Sequence, residues 1–111
     1  MIEIEKVKNE IVRQLKPMGV EKIILFGSYA NGTAREESDI DLYVVTNDDF
    51  IPRNWREKMD IKLKVARSLY DLQTRYDIDL IAHTKKMHEK FIEMGSVFSR
   101  EIMEKGRVIY G

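Results

Sequence analysis

Ile4, Val7, Ile11 and Leu15 recur at intervals of three and four residues, with Glu, Lys and Arg between them. That spacing gathers the apolar side chains on one side of a helix and the charges on the other. Pro17 and Gly19 end it. Val20 to Phe26 then changes the period, because Ile23, Ile24, Leu25 and Phe26 are continuous and apolar. A short run of this kind predicts a strand buried on both faces of a layered domain. Gly27-Ser28 closes the strand, Tyr29 to Thr33 suits a helical turn, and Arg35-Glu36-Glu37-Ser38 is a charged loop. Asp39 to Val45 predicts a second strand, and Asn47-Asp48-Asp49 with Pro52 predicts a loop. From about Asn54 to Arg75 the pattern is that of a long charged helix, with Asn54 as its N-cap. Its predicted inner face carries Met59, Leu63, Ala66, Leu69 or Tyr70, and Gln73. Tyr76 to Ala82 is a third strand, and helices follow over Thr84 to Met94 and Val97 to Lys105. Gly106 stops the last helix, and Arg107-Val108-Ile109-Tyr110 is a final short strand or tail.

The order predicts an α/β (α+β) domain: a small mixed sheet of three to four strands with helices mainly on one face. The 111 residues suit one domain, residues 1–111, and not two. Lys+Arg and Asp+Glu each number 19, so no surplus of positive charge marks a nucleic-acid binder. The absence of cysteine excludes thiolate catalysis, disulfides and Cys-based zinc sites. No apolar run approaches the roughly 20 residues that span a bilayer, and the chain reads as cytoplasmic.

The candidate chemistry lies in the carboxylates. Asp39 and Asp41 occupy positions i and i+2 of a strand and so share a face, while Ile40 and Leu42 point into the core. Adjacent carboxylates repel unless a cation neutralises them, and hard oxygen donors of this kind suit Mg²⁺. Asp77 and Asp79 repeat the pattern on the third strand. If that strand lies beside the second, one of the pair completes a three-carboxylate site able to hold two metal ions for displacement at phosphorus. Gly27-Ser28 stands where a strand gives way to a turn: glycine permits close backbone approach, and N–H groups with a hydroxyl cradle phosphate. Alone, Gly-Ser is an ordinary turn and Asp-X-Asp an ordinary solvated edge. Their order along the chain is what points to a metal–phosphate site, since Asp is a poor strand former and here recurs four times on two strands.

Gly27-Ser28, ten residues from Tyr29 to Ser38, then Asp39-Ile40-Asp41 resembles the signature of the polymerase-β-type nucleotidyltransferase superfamily. It is especially similar to the minimal nucleotidyltransferase group, and the resemblance covers the whole chain through Glu101–Tyr110. It implies that Asp39 and Asp41 bind both catalytic Mg²⁺ ions and that Asp79, before Leu80-Ile81, is the third carboxylate, with Asp77 the competitor. It also implies that Gly27 and Ser28 hold the β- and γ-phosphates of ATP or another nucleoside triphosphate. The role implied is transfer of a nucleoside monophosphate to a tyrosine of a HEPN-domain toxin, as the antitoxin of a toxin–antitoxin pair. A departure stands at Asn31, where the family often carries a basic residue, with Arg35 the nearest substitute.

A second reading is a binding module that keeps the fold and neutralises its partner by contact alone. It predicts no Mg²⁺- or ATP-dependent stabilisation and indifference to Asp39→Asn/Asp41→Asn. His83 and His88 lack a third partner for zinc, and His83 reads as a surface residue or one backing the site. Lys85-Lys86 reads as a solvated helix start, and Trp55 and Met59 as packing or partner-facing residues. Homo- or hetero-oligomers are compatible with so short a chain.

Overall fold

In the computed structural model, which describes residues 2–111, the amphipathic stripe forms helix α1 (Ile4–Leu15), burying Val7, Ile11 and Leu15. A single 3₁₀ turn at Lys16–Met18, with Pro17 inside it, and Gly19 at φ 83° turn the chain into strand β1 (Val20–Phe26). There follow α2 (Ser28–Asn31), β2 (Ile40–Thr46), α3 (Trp55–Ser68), α4 (Tyr70–Gln73), β3 (Ile78–His83), α5 (Lys85–Met94), α6 (Val97–Lys105) and β4 (Arg107–Tyr110). Four strands form one mixed sheet in the order β3-β2-β1-β4. β1 is antiparallel to both β2 and β4, whereas β2 and β3 run parallel. A parallel pair needs a long crossover, which α3 and α4 supply.

The strands divide their side chains between two apolar clusters. Ile23 and Leu25 of β1, Ile40, Leu42 and Val44 of β2, and Leu80 and Ala82 of β3 pack with α1, α3 and α4. This is the main helical layer. The opposite face carries a smaller cluster, in which Ile24, Tyr43 and Val45 meet Ile102 of α6 and Phe91 of α5. Asp39, Asp41 and Asp79 belong by alternation to this second face. β1 is thus buried on both sides, as its continuous apolar run requires.

The long second helix departs from its prediction. It breaks at Leu69 (φ −102°, ψ 8°) into α3 and α4, and its inner stripe is Ile61, Val65, Leu69 and Leu72. Leu63 is 42% and Tyr70 70% exposed. The two candidate stripes are rotated from each other by less than one turn, and sequence spacing alone cannot choose between them. Asn54 does cap α3, its Oδ1 accepting from the Glu57 amide at 2.9 Å. Thr84 caps α5, accepting from the Met87 amide at 3.2 Å.

Candidate active site

The carboxylates meet where β1 ends and β2 and β3 begin. Phe26, the last residue of β1, pairs with Asp41 across the antiparallel ladder, so Gly27 emerges beside the Asp41 side chain. Gly27 has φ 72° and ψ −153°, and a Cβ built there would overlap Asp41 Oδ2. Both the backbone conformation and the contact therefore demand glycine. The Gly27 carbonyl accepts from the amides of Ala30 at 3.0 Å and Asn31 at 3.1 Å, winding the short α2. Ser28 is the first residue of that turn and is half-buried at the same corner. From β4, Arg107 Nε donates to the Ala30 carbonyl at 2.8 Å, tying the turn to the sheet.

On the other side of Asp41 the parallel register sets Asp79 directly opposite it. Asp77 lies one residue before β3; its carbonyl accepts from the Ile40 amide at 2.9 Å, which opens the β2–β3 ladder. Burial, then the charge of Asp79, then that of Asp39 raise the Asp41 pKa above the ordinary 3.8. Asp39 and Asp79 are exposed. The three carboxylates share a face and a charge field but not a chelating geometry. Among the described residues, no three His, Cys, Asp or Glu side chains are gathered closely enough to hold an ion.

Neither Asn31 nor Arg35 brings positive charge to the corner through a bond. Asn31 Oδ1 accepts from the Thr33 amide at 3.1 Å and from its hydroxyl. The Arg35 amide donates to Ser38 Oγ at 2.8 Å, ordering the loop that leads to Asp39.

Further along the same face stands a cluster that sequence reasoning missed. The Tyr43 hydroxyl lies 2.9 Å from His83 Nδ1 and 2.8 Å from His88 Nδ1. A hydroxyl has one proton, so it donates to one imidazole and accepts N–H from the other, and the two rings differ in their Nδ1 proton. Burial, the charge of Lys58 and His88 lower the His83 pKa to about 4. Burial foremost also lowers that of His88 and raises that of Tyr43. His83 is thus a half-buried tie between β3, β2 and α5, and not a surface residue. Alternation places Tyr43 and His83 on the face of the carboxylates, since Tyr43 follows Asp41 by two and His83 follows Asp79 by four, but it does not bring in His88 of α5. At about 3.3 Å per residue, His83 is some 13 Å from Asp79, too far to share its chemistry. Phe91 stacks on Tyr43 (centroids 5.1 Å apart), Phe98 meets Phe91 edge-on, and Phe26 meets Phe98 edge-on at 5.9 Å. An aromatic chain therefore runs under this face to the residue before Gly27.

The sequence profile of the family described as Polymerase beta, Nucleotidyltransferase matches residues 5–111. A Methanocaldococcus jannaschii protein named "Putative protein adenylyltransferase MJ0604" is 36% identical over 109 residues, spanning 96% of this chain and 97% of its own. A crystal structure of a toxin-antitoxin with AMP-PNP aligns with TM-score 0.61 at 24% identity, covering 94% of this chain and 73% of that one. The crystal structure of a "putative nucleotidyltransferase from Sulfolobus solfataricus" aligns with TM-score 0.55 at 25% identity, covering 77% of this chain and 70% of that one. The sheet order, the glycine corner and the matched profile agree, and the chain belongs to the polymerase-β nucleotidyltransferase family.

Proposed function

We propose that the chain is a Mg²⁺-dependent nucleotidyltransferase that moves AMP from ATP to a hydroxyl of a second protein, a tyrosine of a HEPN-type toxin it restrains as antitoxin. The observation that carries the reading is the register that sets Asp79 opposite Asp41 while Gly27 abuts the Asp41 carboxylate. Carboxylates and a side-chain-free turn at one corner are what a triphosphate and its counter-ions require. The adenylyltransferase name of the M. jannaschii relative and the AMP-PNP in the toxin-antitoxin structure support ATP and a protein acceptor.

The donor set fits Mg²⁺. The side chains facing one another at the corner are carboxylates and a hydroxyl, all hard oxygen donors, the chain has no thiol, and both imidazoles face Tyr43. Asp39 and Asp41 would hold the ions and Asp79 would complete the set, a choice over Asp77 supported by the register that sets Asp79 opposite Asp41. Held by these carboxylates, Mg²⁺ would offset the triphosphate charge and so favour attack at the α-phosphorus. The Gly27 backbone admits the β- and γ-phosphates close to the chain, and the Ser28 hydroxyl donates to them. In the transfer, the acceptor oxygen bonds the α-phosphorus, the bond to the β-phosphate oxygen breaks, and pyrophosphate departs as the acceptor's proton is lost. In-line geometry and charge neutralisation supply most of the acceleration in such reactions.

Incubation with labelled ATP, Mg²⁺ and the product of a neighbouring gene, followed by mass spectrometry, tests the reading. The expected result is a gain of one AMP on a partner tyrosine, abolished by EDTA and by Asp39→Asn or Asp79→Asn. A partner that is neutralised without modification, equally well by the Asp39→Asn/Asp41→Asn protein, would establish the contact-only antitoxin instead.

A further inference from the structure

The edge of the sheet beside α3 carries a feature unrelated to nucleotide chemistry. β3 pairs only with β2, so its outer backbone edge has no strand partner among the described residues. Natural edge strands are commonly blunted by lysine, proline or a bulge. β3 has none of these: its sequence is Ile78-Asp79-Leu80-Ile81-Ala82-His83, and its register with β2 is unbroken. Along this edge runs a groove of about 310 Å³. One wall is β3 from Leu80 to His83, and the other is a helical stripe of α3, Trp55, Lys58 and Lys62 with Met59 at its base. Spacings of three, four and seven place those side chains on one face.

The groove walls are held in place. Asn54 caps α3 at its mouth, and Thr84 Oγ1 donates to the Phe50 carbonyl at 2.6 Å, fastening the preceding loop to the end of β3. Trp55 is 74% exposed at the lip. A second hollow of about 290 Å³ shares Trp55 and Lys58 and continues the surface past Pro52. Large exposed aromatics beside an open edge are what protein interfaces use as anchors. The charge of the groove is positive: Lys58 and Lys62 are exposed, and among the described residues neither forms an ion pair. Lys64, further along this helix, is by contrast matched by Asp48 at 2.8 Å.

We infer that the β3 edge and the Trp55–Lys58–Lys62 stripe form a docking groove for an extended, acidic segment of a partner protein, which adds to the sheet as a fifth strand. Main-chain hydrogen bonds to β3 supply the affinity, and the lysines select carboxylates at alternate positions. A second copy of this chain fits less well, because a symmetric pairing would bring two Lys58–Lys62 stripes together. A strand added here also leads along β3 toward Asp79. That consequence for presenting an acceptor rests on the nucleotidyltransferase reading; the binding itself does not.

The single tryptophan of the chain reports on the groove directly. The probe is the peptide acetyl-Val-Glu-Val-Glu-Val-Glu-Val-Glu-amide, titrated without nucleotide or metal while Trp55 emission is followed. A saturable change with a midpoint below about 1 mM is expected. Lys58→Glu/Lys62→Glu should weaken it by about tenfold or more, with unchanged circular dichroism, since both positions are exposed. A peptide with Lys in place of Glu, and one N-methylated at alternate amides, should give no saturable change. The proposal is overturned if either control peptide binds wild-type protein equally well, or if no saturation occurs by about 1 mM. It is also overturned if light scattering reveals a dimer that Lys58→Glu alters together with Trp55 emission, which assigns the groove to a second copy. Loss of AMP transfer with intact peptide binding would sink the enzymatic reading and leave this one standing.

Discussion

Replacing Asp41 by asparagine should stabilise the metal-free protein while disabling it. Neighbouring strands lie about 4.8 Å apart, so side chains paired across β2 and β3 face each other over about 5 Å. Two full charges at that distance repel by ~3 kcal/mol at an effective dielectric of ~20, and by ~0.8 kcal/mol at ~80. Asp41 is only partly buried and Asp79 is exposed, so the lower end applies, and Asp41→Asn should gain about 1 kcal/mol. For a domain of this size that is an upward Tm shift of about 3–5 °C. The sign with pH follows from the raised Asp41 pKa. The folded state binds that proton more tightly than the unfolded chain, so the wild type gains stability as pH falls through the raised value. The gap between the two proteins should therefore close in acid. Thermal unfolding followed by circular dichroism, in EDTA and then in Mg²⁺, is the assay. Mg²⁺ should stabilise the wild type by mass action and leave Asp41→Asn unmoved. An Asp41→Asn protein less stable than wild type in EDTA at neutral pH would refute the argument, as would a gap indifferent to pH.

Gly27→Ala should cost about 1–3 kcal/mol in urea unfolding, since φ 72° is strained for any side chain and the new methyl group meets Asp41. It should also abolish transfer. Leu69→Ala should cost about 2–5 kcal/mol, whereas Leu63→Ala, on the exposed side of the same helix, should cost about 0.5 kcal/mol or less; equal losses would contradict the assigned stripe. Tyr43→Phe strands two imidazole nitrogens and should cost about 1–3 kcal/mol. Because His83 is held neutral down to about 4, against an unfolded value near 6.5, its contribution is whole above that value and is lost as pH falls toward 4. His83→Gln should flatten stability between those limits, and ring-proton NMR titration of the wild type should show no His83 inflection above about pH 6.

Most of the architecture is legible in the residue pattern, because short apolar runs and period-3.6 stripes map directly onto burial. α1 and β1 are clear for that reason, and that one of Asp77 and Asp79 reaches Asp41 needs only the assumption that β3 lies beside β2; the register that sets Asp79 there belongs to the assembled sheet. The α3 stripe is less legible. In Met59–Gln73 and in Ile61–Leu72 apolar residues fall at comparably helical intervals, and only packing against the sheet and α1 selects the second. The Tyr43–His83–His88 cluster is hidden for a different reason. Its three members come from three elements 40 and 45 residues apart, so no local spacing announces it. Strand alternation narrows the face, but the approach of α5 to that face is a property of the assembled layer.

The parallel register between β2 and β3 carries one more consequence. Leu80 and Ala82 are sunk in the main core while Asp79, Ile81 and His83 face the other way. A slip of one residue would expose the two core side chains and swing Asp79 inward, since every side chain on a strand changes face together. Grease thus acts as the vernier for the acidic corner: the oily positions, which never touch a ligand, index the carboxylates against one another. Selection for a solid core is therefore also selection for an aligned site. A single-residue deletion within β3 would damage folding and charge alignment in one stroke, with no substitution at any aspartate.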